Sequence, residues 1–366
     1  MRLIPVICVI TLLLGGPIPV VAQSATPATA SPVAASGDFA GLVDIGGGRR
    51  LWLECRGAGG PTVVLEAGAL GRADVWSRDL RQPAGERTMV LPAVAGFARV
   101  CAYDRPGTIG TVNPDLDPDG PLFLPSRSDP VPQPRTARDV VADLHALLGA
   151  AGVPGPYVLV GHSAGGLFVR LYASTYPDEV VGMVLVDATH EDVWLRFKES
   201  LTPAQWKEFE ALTVVNRELQ EAYPEAERLW TAPLEDDAST GQVRRARRDA
   251  PLRPMPLVVL SHGIPFAPPF PGWPGAEMER TMLALQEDLA RLAPNARHVI
   301  ATESGHDIHQ DQPDLVIAAI RHVVAAVRNP STWPRATATP AGATRGHGFE
   351  TVAASPAMDG GATPEA

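Results

Sequence analysis

Hydrophobic and polar positions follow two rhythms along the middle of this chain. Leu42-Val43-Asp44-Ile45 and Leu51-Trp52-Leu53-Glu54-Cys55 flank Gly46-Gly47-Gly48, which predicts an opening hairpin. Short apolar runs at 62–65, 100–103, 157–160, 181–186, 257–260 and 297–301 predict strands, several of them buried on both faces. Between these runs the period lengthens. Thr136-Ala137-Arg138-Asp139 has the form of a capping box, and Val140, Val141, Leu144, Leu147 and Leu148 follow at helical spacing. A last helix starts near Pro313 and buries Val316, Ile320, Val323, Val324 and Val327. Strands alternating with helices predict a mostly parallel sheet with helices on its faces.

Two stretches break the rhythm. About 70 residues separate the strand ending at Val186 from the one starting at Leu257, and they carry no strand pattern. Thr202-Pro203-Ala204-Gln205 is a helix start with Pro at the first helical position, followed by an apolar stripe at Trp206, Phe209 and Leu212. An all-helical insertion over 188–254 is expected to cover the carboxyl ends of the strands, where open α/β sheets hold their ligands. A peripheral insertion with no role in access is the competing reading. The stretch 108–134 is dense in Pro and Asp, follows a strand end, and is expected to border the same site as an irregular segment; disorder is the alternative.

The ends read differently from the middle. Arg2, an apolar run over 3–14, the break Gly15-Gly16-Pro17 and the small residues of Val20-Val21-Ala22 predict a secretory signal over 1–22 and export of the mature protein. A low-complexity linker over 23–38 and an Ala-, Thr-, Gly- and Pro-rich tail over 333–366 are expected to lie outside the domain, which is placed at 39–332.

The chemistry concentrates at Tyr157-Val158-Leu159-Val160-Gly161-His162-Ser163-Ala164-Gly165-Gly166. An apolar run, a serine between glycines and a helical segment form a strand-to-helix corner that exposes a hydroxyl above the sheet. A serine needs a base and a carboxylate to orient that base. His306, in Glu303-Ser304-Gly305-His306-Asp307, is the expected base, with His309 as the alternative. Asp187, ending the apolar run Val184-Leu185-Val186, is the expected acid; Asp192, Glu191 and Glu277 are the other candidates. His306 and His309 with Asp307 and Asp311 also suggest a metal site, but that reading leaves Ser163 unexplained and lacks a third convergent ligand. No metal and no organic cofactor are expected. The oxyanion is assigned to the amides of Ala164 and of Ala69 in the loop Glu66-Ala67-Gly68-Ala69-Leu70-Gly71. Glu66 is read as a salt bridge to a cation such as Arg105, or else as a substrate contact. Phe266, Phe270 and Trp273 are read as lining an apolar acyl pocket, with lid packing as the alternative.

Composition narrows the partners. The 366 residues carry a formal charge of -10, which argues against nucleic acid. The basic run Arg244-Arg245-Ala246-Arg247-Arg248 sits among acidic neighbours and reads as a helix face. Of the three cysteines, Cys8 leaves with the signal, and Cys55 and Cys101 remain as an even pair.

The chain resembles the α/β-hydrolase superfamily, and within it the small secreted serine hydrolases, over roughly 41–328. The resemblance rests on Val-Val-Leu-Glu-Ala-Gly at 63–68, Ala-Tyr-Asp-Arg-Pro-Gly at 102–107, Gly-His-Ser-Ala-Gly-Gly at 161–166, Leu-Val-Asp-Ala at 185–188 and Ser-Gly-His at 304–306. It implies a mostly parallel, twisted eight-stranded sheet flanked by helices, with a helical lid after the sixth strand. It also implies that Cys55 and Cys101 lie on neighbouring strands and can form a disulfide. Two departures stand out: Ala67-Gly68 replaces the usual His-Gly before the oxyanion donor, and no acid follows the strand at 257–260. The expectation is a monomeric, exported enzyme that cleaves carboxylic esters of small or medium apolar substrates through an acyl-enzyme. A peptidase or amidase of the proline-iminopeptidase type and a non-catalytic binding protein are the rivals.

Overall fold

The computed structural model describes residues 37–69, 71–82, 85–111, 123–132, 135–209 and 236–333. The expected signal at 1–22, nearly all of the expected linker, the expected tail beyond Trp333 and the 210–235 part of the insertion lie outside them.

Strands β1 (Phe39–Asp44) and β2 (Arg50–Arg56) form the opening hairpin. With β3 (Thr62–Glu66), β4 (Val100–Tyr103), β7 (Tyr157–His162), β8 (Val180–Val186), β9 (Leu257–His262) and β10 (Arg297–Ala301) they make one eight-stranded sheet, ordered β1-β2-β4-β3-β7-β8-β9-β10. The β1–β2 and β2–β4 pairs are antiparallel and the remainder are parallel. Every residue of β3, β4, β7 and β9 is buried, which is why these segments read as unbroken apolar runs.

Helices cover both faces. On one lie α2 (Ala137–Ala151) and α3 (Gly165–Thr175), with Leu144, Leu147, Leu148, Phe168 and Tyr172 in their core. On the other, α1 (Val90–Ala95) packs on the C-terminal helix, which buries Val316, Ile320, Val323 and Val324. Burying each such aliphatic side chain contributes about 2 kcal/mol. The capping box of α2 is present, with Thr136 N–H donating to Asp139 at 2.7 Å.

Cys55 and Cys101 are register partners on β2 and β4 and are joined by a disulfide, their Cα atoms 4.1 Å apart.

The stretch at 108–134 is not wholly irregular. Ile109–Thr111 (β5) and Phe123–Pro125 (β6) pair as a small antiparallel ribbon, a correction to the sequence reading. Its exit is pinned by polar contacts, not by apolar rhythm: Arg127 forks onto Asp104 at 2.8 Å, and Ser128 donates to the Asp104 carbonyl at 2.6 Å.

The described parts of the inserted segment separate. Helix α4 (Val193–Ser200) and a helix opening at Pro203 lie beside the loop that follows β9: Phe197 and Phe209 have ring centroids 6.3 and 5.5 Å from Trp273. Helix α5 (Asp236–Asp249) packs on α2 and α3, where Ser239 Oγ accepts from the Ala137 amide at 3.0 Å. Two further helices complete the set for the site, α6 (Gly275–Leu289) and the short α7 (Ile308–Asp311); the C-terminal helix is α8 (Pro313–Arg328).

Candidate active site

β7 ends at His162, α3 starts at Gly165, and Ser163 takes the left-handed corner between them with φ 51°. A non-glycine residue there costs of order 1–3 kcal/mol and persists only where its surroundings impose it. They do so by close approach. A Cβ on Gly161 would lie 2.7 Å from the Gly165 carbonyl oxygen, and one on Gly165 would lie 2.5 Å from that of Glu66. The corner is also tied to its neighbours: Ser163 N–H donates to Val186 O at 3.1 Å, and Ser163 O accepts from Thr189 at 2.9 Å.

β3 lies beside β7, so the loop leaving β3 crosses directly over this corner; a Cβ on Gly68 would stand 3.2 Å from Ser163 Cβ. That loop is held from beneath by residues of the Ala-Tyr-Asp-Arg segment that closes β4 and leads out of it. Tyr103 donates to Glu66 at 2.5 Å, and Asp104 accepts from the Ala73 amide at 2.9 Å. The Arg105 guanidinium pairs with Glu66 and also donates to the carbonyls of Ala67 at 2.8 Å, Gly68, and Ala69 at 3.1 Å. In a trans peptide the C=O and N–H point opposite ways, so the amides of Gly68 and Ala69 face away from the guanidinium. Ala164 is the N-cap of α3, so its amide lies ahead of the intrahelical ladder.

Asp187 directly follows β8 with φ 40° and is 1% exposed. Its Oδ2 accepts from His306 Nδ1 at 2.6 Å, across 119 residues of sequence. Its Oδ1 accepts from His262 Nδ1 at 2.8 Å and from the His262 amide at 3.1 Å. Burial works to raise the Asp187 carboxyl, but the hydrogen bonds from His262 and His306 outweigh it and hold the group well below the usual carboxylate range. His306 stands next to the corner: His162 Nε2 donates to its carbonyl at 3.1 Å, and the two rings are 4.8 Å apart. With Nδ1–H given to Asp187, the free His306 Nε2 is the acceptor.

The other candidates are placed elsewhere. Glu191 is buried against Arg170 and Arg247, the latter at 2.9 Å. Asp192 pairs with Arg244 at 2.6 Å, and Glu277 is exposed in the first turn of α6. Arg244 and Arg247 of the basic run are thus occupied by carboxylates of their own chain. His309 is buried against Trp76 and His162, with ring centroids 4.8 and 4.3 Å away. Burial, His306 and Arg81 depress it to about 3, so it is neutral. Ligand atoms of His162, Asp307 and His309 lie within 4.8 Å of one another, but Arg81 occupies Asp307 at 3.0 Å and Asp311 at 2.9 Å.

Phe266 is 44% exposed and its ring lies 5.6 Å from His306. Phe270 and Trp273 do not join it there; they meet edge-to-face at 5.3 Å and continue into the aromatic cluster of Phe197 and Phe209. Sequence reasoning missed His262 and the reach of Arg105 under the loop. Among the described residues no helix is long and apolar enough to cross a membrane.

An open α/β sheet that carries a serine on a strained corner, beside a histidine–aspartate pair at its carboxyl edge, defines a recognisable class. The chain belongs to the alpha/beta hydrolase family, whose profile matches residues 21–319. It is 26% identical over 274 residues to the uncharacterized protein YqjL of Bacillus subtilis, covering 74% of this chain and 86% of the relative. A second relative, an AB hydrolase superfamily protein of Gibberella zeae, is 24% identical over 312 residues, covering 73% and 87%. Among solved structures, a candidate lipase from Acinetobacter baumannii AYE superposes with a TM-score of 0.52 at 17% identity, over 80% of this chain and 93% of that one. Cfl2 of Burkholderia cenocepacia gives 0.50 at 19% identity, over 82% and 98%. Family membership places the protein among the hydrolases.

Proposed function

We propose that the protein is an exported, monomeric serine hydrolase that cleaves carboxylic esters of small or medium apolar substrates through an acyl-enzyme. The observation that carries this reading is the 2.6 Å hydrogen bond from His306 to the buried Asp187 beside the strained Ser163 corner.

Ser163 Oγ attacks the ester carbonyl carbon while His306 Nε2 takes its proton. Asp187 holds the ring and stabilises the imidazolium that forms. The carbonyl oxygen becomes an oxyanion and accepts from the amides of Ala164 and Ala69, which are fixed in place before the charge arises. His306 returns the proton to the departing alkoxide, and the alcohol leaves an ester on Ser163. Water then repeats the sequence: His306 takes its proton, hydroxide adds to the acyl carbon, and the proton passes back to Ser163 as the acid leaves. The half-exposed ring of Phe266, 5.6 Å from that of His306, favours an apolar acyl or alkyl group over a charged one.

Steady-state hydrolysis of p-nitrophenyl esters of increasing chain length tests the reading. Ser163→Ala is expected to lower kcat by about 10⁴-fold or more with the fold intact. Full ester turnover by Ser163→Ala would overturn it.

A further inference from the structure

The end of β9, where the resemblance places the acid, carries His262. Its Nδ1 faces Asp187 Oδ1 at 2.8 Å, and its Nε2 faces Glu279 Oε2 at 3.0 Å. Ionised carboxylates accept hydrogen bonds and cannot donate. An imidazole set between two of them satisfies both only with a proton on each nitrogen, which makes it a cation. We propose, building on the serine-hydrolase reading, that His262 is a positioning residue held as an imidazolium by Asp187 and Glu279. Its charge then limits how strongly Asp187 attracts the positive charge that arises on His306 during turnover.

Several elements face His262 among the described residues. Asp187 comes from the end of β8, Glu279 from α6, and His306 lies across the shared carboxylate. The loop after β9 contributes the Phe266 ring at 4.8 Å, and β10 contributes Ala301 as register partner, which carries no charge. Burial opposes a charge on His262, but the two carboxylates prevail and keep it protonated up to about 9.

Two consequences follow for the site. Asp187 has a donor on each oxygen, so it cannot rotate away from His306. Glu279 Oε1 also accepts from the Phe266 amide at 3.1 Å, so the same acid anchors the loop segment that lies against His306.

The sign of the effect can be read. A cation on one carboxylate oxygen offsets part of the pull that carboxylate exerts through the other. Replacing His262 by Gln keeps a donor and removes the charge. The limb on which activity rises with pH is then expected to move to higher pH by roughly half to one unit, so that reaction on that limb slows by about 3- to 10-fold while the plateau is kept. Glu279→Gln removes one of the two anions that hold the proton, so His262 should lose it at lower pH.

The test has two arms. One follows the imidazole nitrogens of His262 by NMR from about pH 5 to about pH 10 in the wild type and in Glu279→Gln. The other measures the rate of fluorophosphonate labelling of Ser163 against pH in the wild type and His262→Gln. Protons on both nitrogens at neutral pH, a lower titration midpoint in Glu279→Gln and the upward limb shift support the proposal. A single protonated nitrogen at neutral pH, or superimposable labelling profiles, overturns it. If His262→Gln does not fold, the NMR arm alone decides. A wild type whose Ser163 takes no probe at any pH removes the hydrolase reading, and the role of His262 in turnover falls with it, even with both nitrogens protonated.

Discussion

Arg105 lies buried against Glu66 and donates to the carbonyls of the loop that carries Ala69. One guanidinium thus neutralises a buried carboxylate and aims the Ala69 amide, one of the two assigned to the oxyanion. Lysine would supply the charge without the planar fork. Arg105→Lys is therefore expected to fold, to keep KM within a few-fold and to lose about 10²-fold in kcat, the scale of one misplaced oxyanion donor. Circular dichroism and ester kinetics check both halves. An unchanged kcat would mean that the clamp serves stability alone.

Asp187→Asn tests the acid. An amide retains the shape but presents a donor or a neutral acceptor to His306, so the reactive tautomer is disfavoured. A loss of roughly 10⁴-fold in kcat is expected, with Ser163 and His306 in place. Matched substitutions of Glu191, Asp192 and Glu277 are expected to leave kcat within a few-fold, since those carboxylates are bound or placed elsewhere. A larger loss from any of them than from Asp187→Asn would reassign the role.

Stability should depend on pH at both ends. His262 is raised to about 9, so its contribution is complete below its ordinary value of about 6.5 and is lost as pH rises through about 9. Asp187 is depressed, so its contribution is complete above the ordinary carboxylate range and is lost as pH falls below it. Thermal unfolding of Ser163→Ala is expected to show a plateau near pH 5 to 6.5 and a falling Tm on the alkaline side. His262→Gln should flatten that alkaline fall. The same fall in both proteins would remove His262 as its source.

How much of this was legible in the sequence depended on distance along the chain. The Ser163 corner is local, with glycines, apolar run and helix contiguous, so it could be read directly. His306 and Asp187 could be proposed because each ends or follows an apolar run. Only the sheet order brings them within 2.6 Å. His262 gave no such sign: a polar residue closing an apolar strand looks like the start of a turn, and its charge depends on Glu279 in a later helix. Arg105 could be read as a partner for Glu66, but its reach to successive carbonyls requires β3 and β4 to be neighbours. The β5–β6 ribbon escaped notice because arginine–aspartate pairing, which carries no periodicity, holds its exit.

Glycines at the corner should resist even a methyl group. Gly161→Ala puts a Cβ at 2.7 Å from both the Gly165 carbonyl oxygen and Val169 Cγ2. A loss of about 1–3 kcal/mol is expected, which is several degrees in Tm, together with reduced labelling of Ser163. Wild-type Tm and activity in this variant would contradict the packing described.

The Cys55–Cys101 bridge closes a sequence separation of 46 residues. The unfolded, unreduced protein should show no titratable thiol from this pair, and the Cys55→Ala, Cys101→Ala double variant should lose about 2–4 kcal/mol. Two free thiols would show that the pair is reduced in the native protein.

The most direct measurement is intact-mass and peptide mapping after exposure of the wild type to a fluorophosphonate. One adduct, on Ser163 alone, absent in Ser163→Ala and strongly slowed in His306→Ala, is the expected result. An unmodified Ser163 in folded protein, or a rate indifferent to His306, would contradict the account.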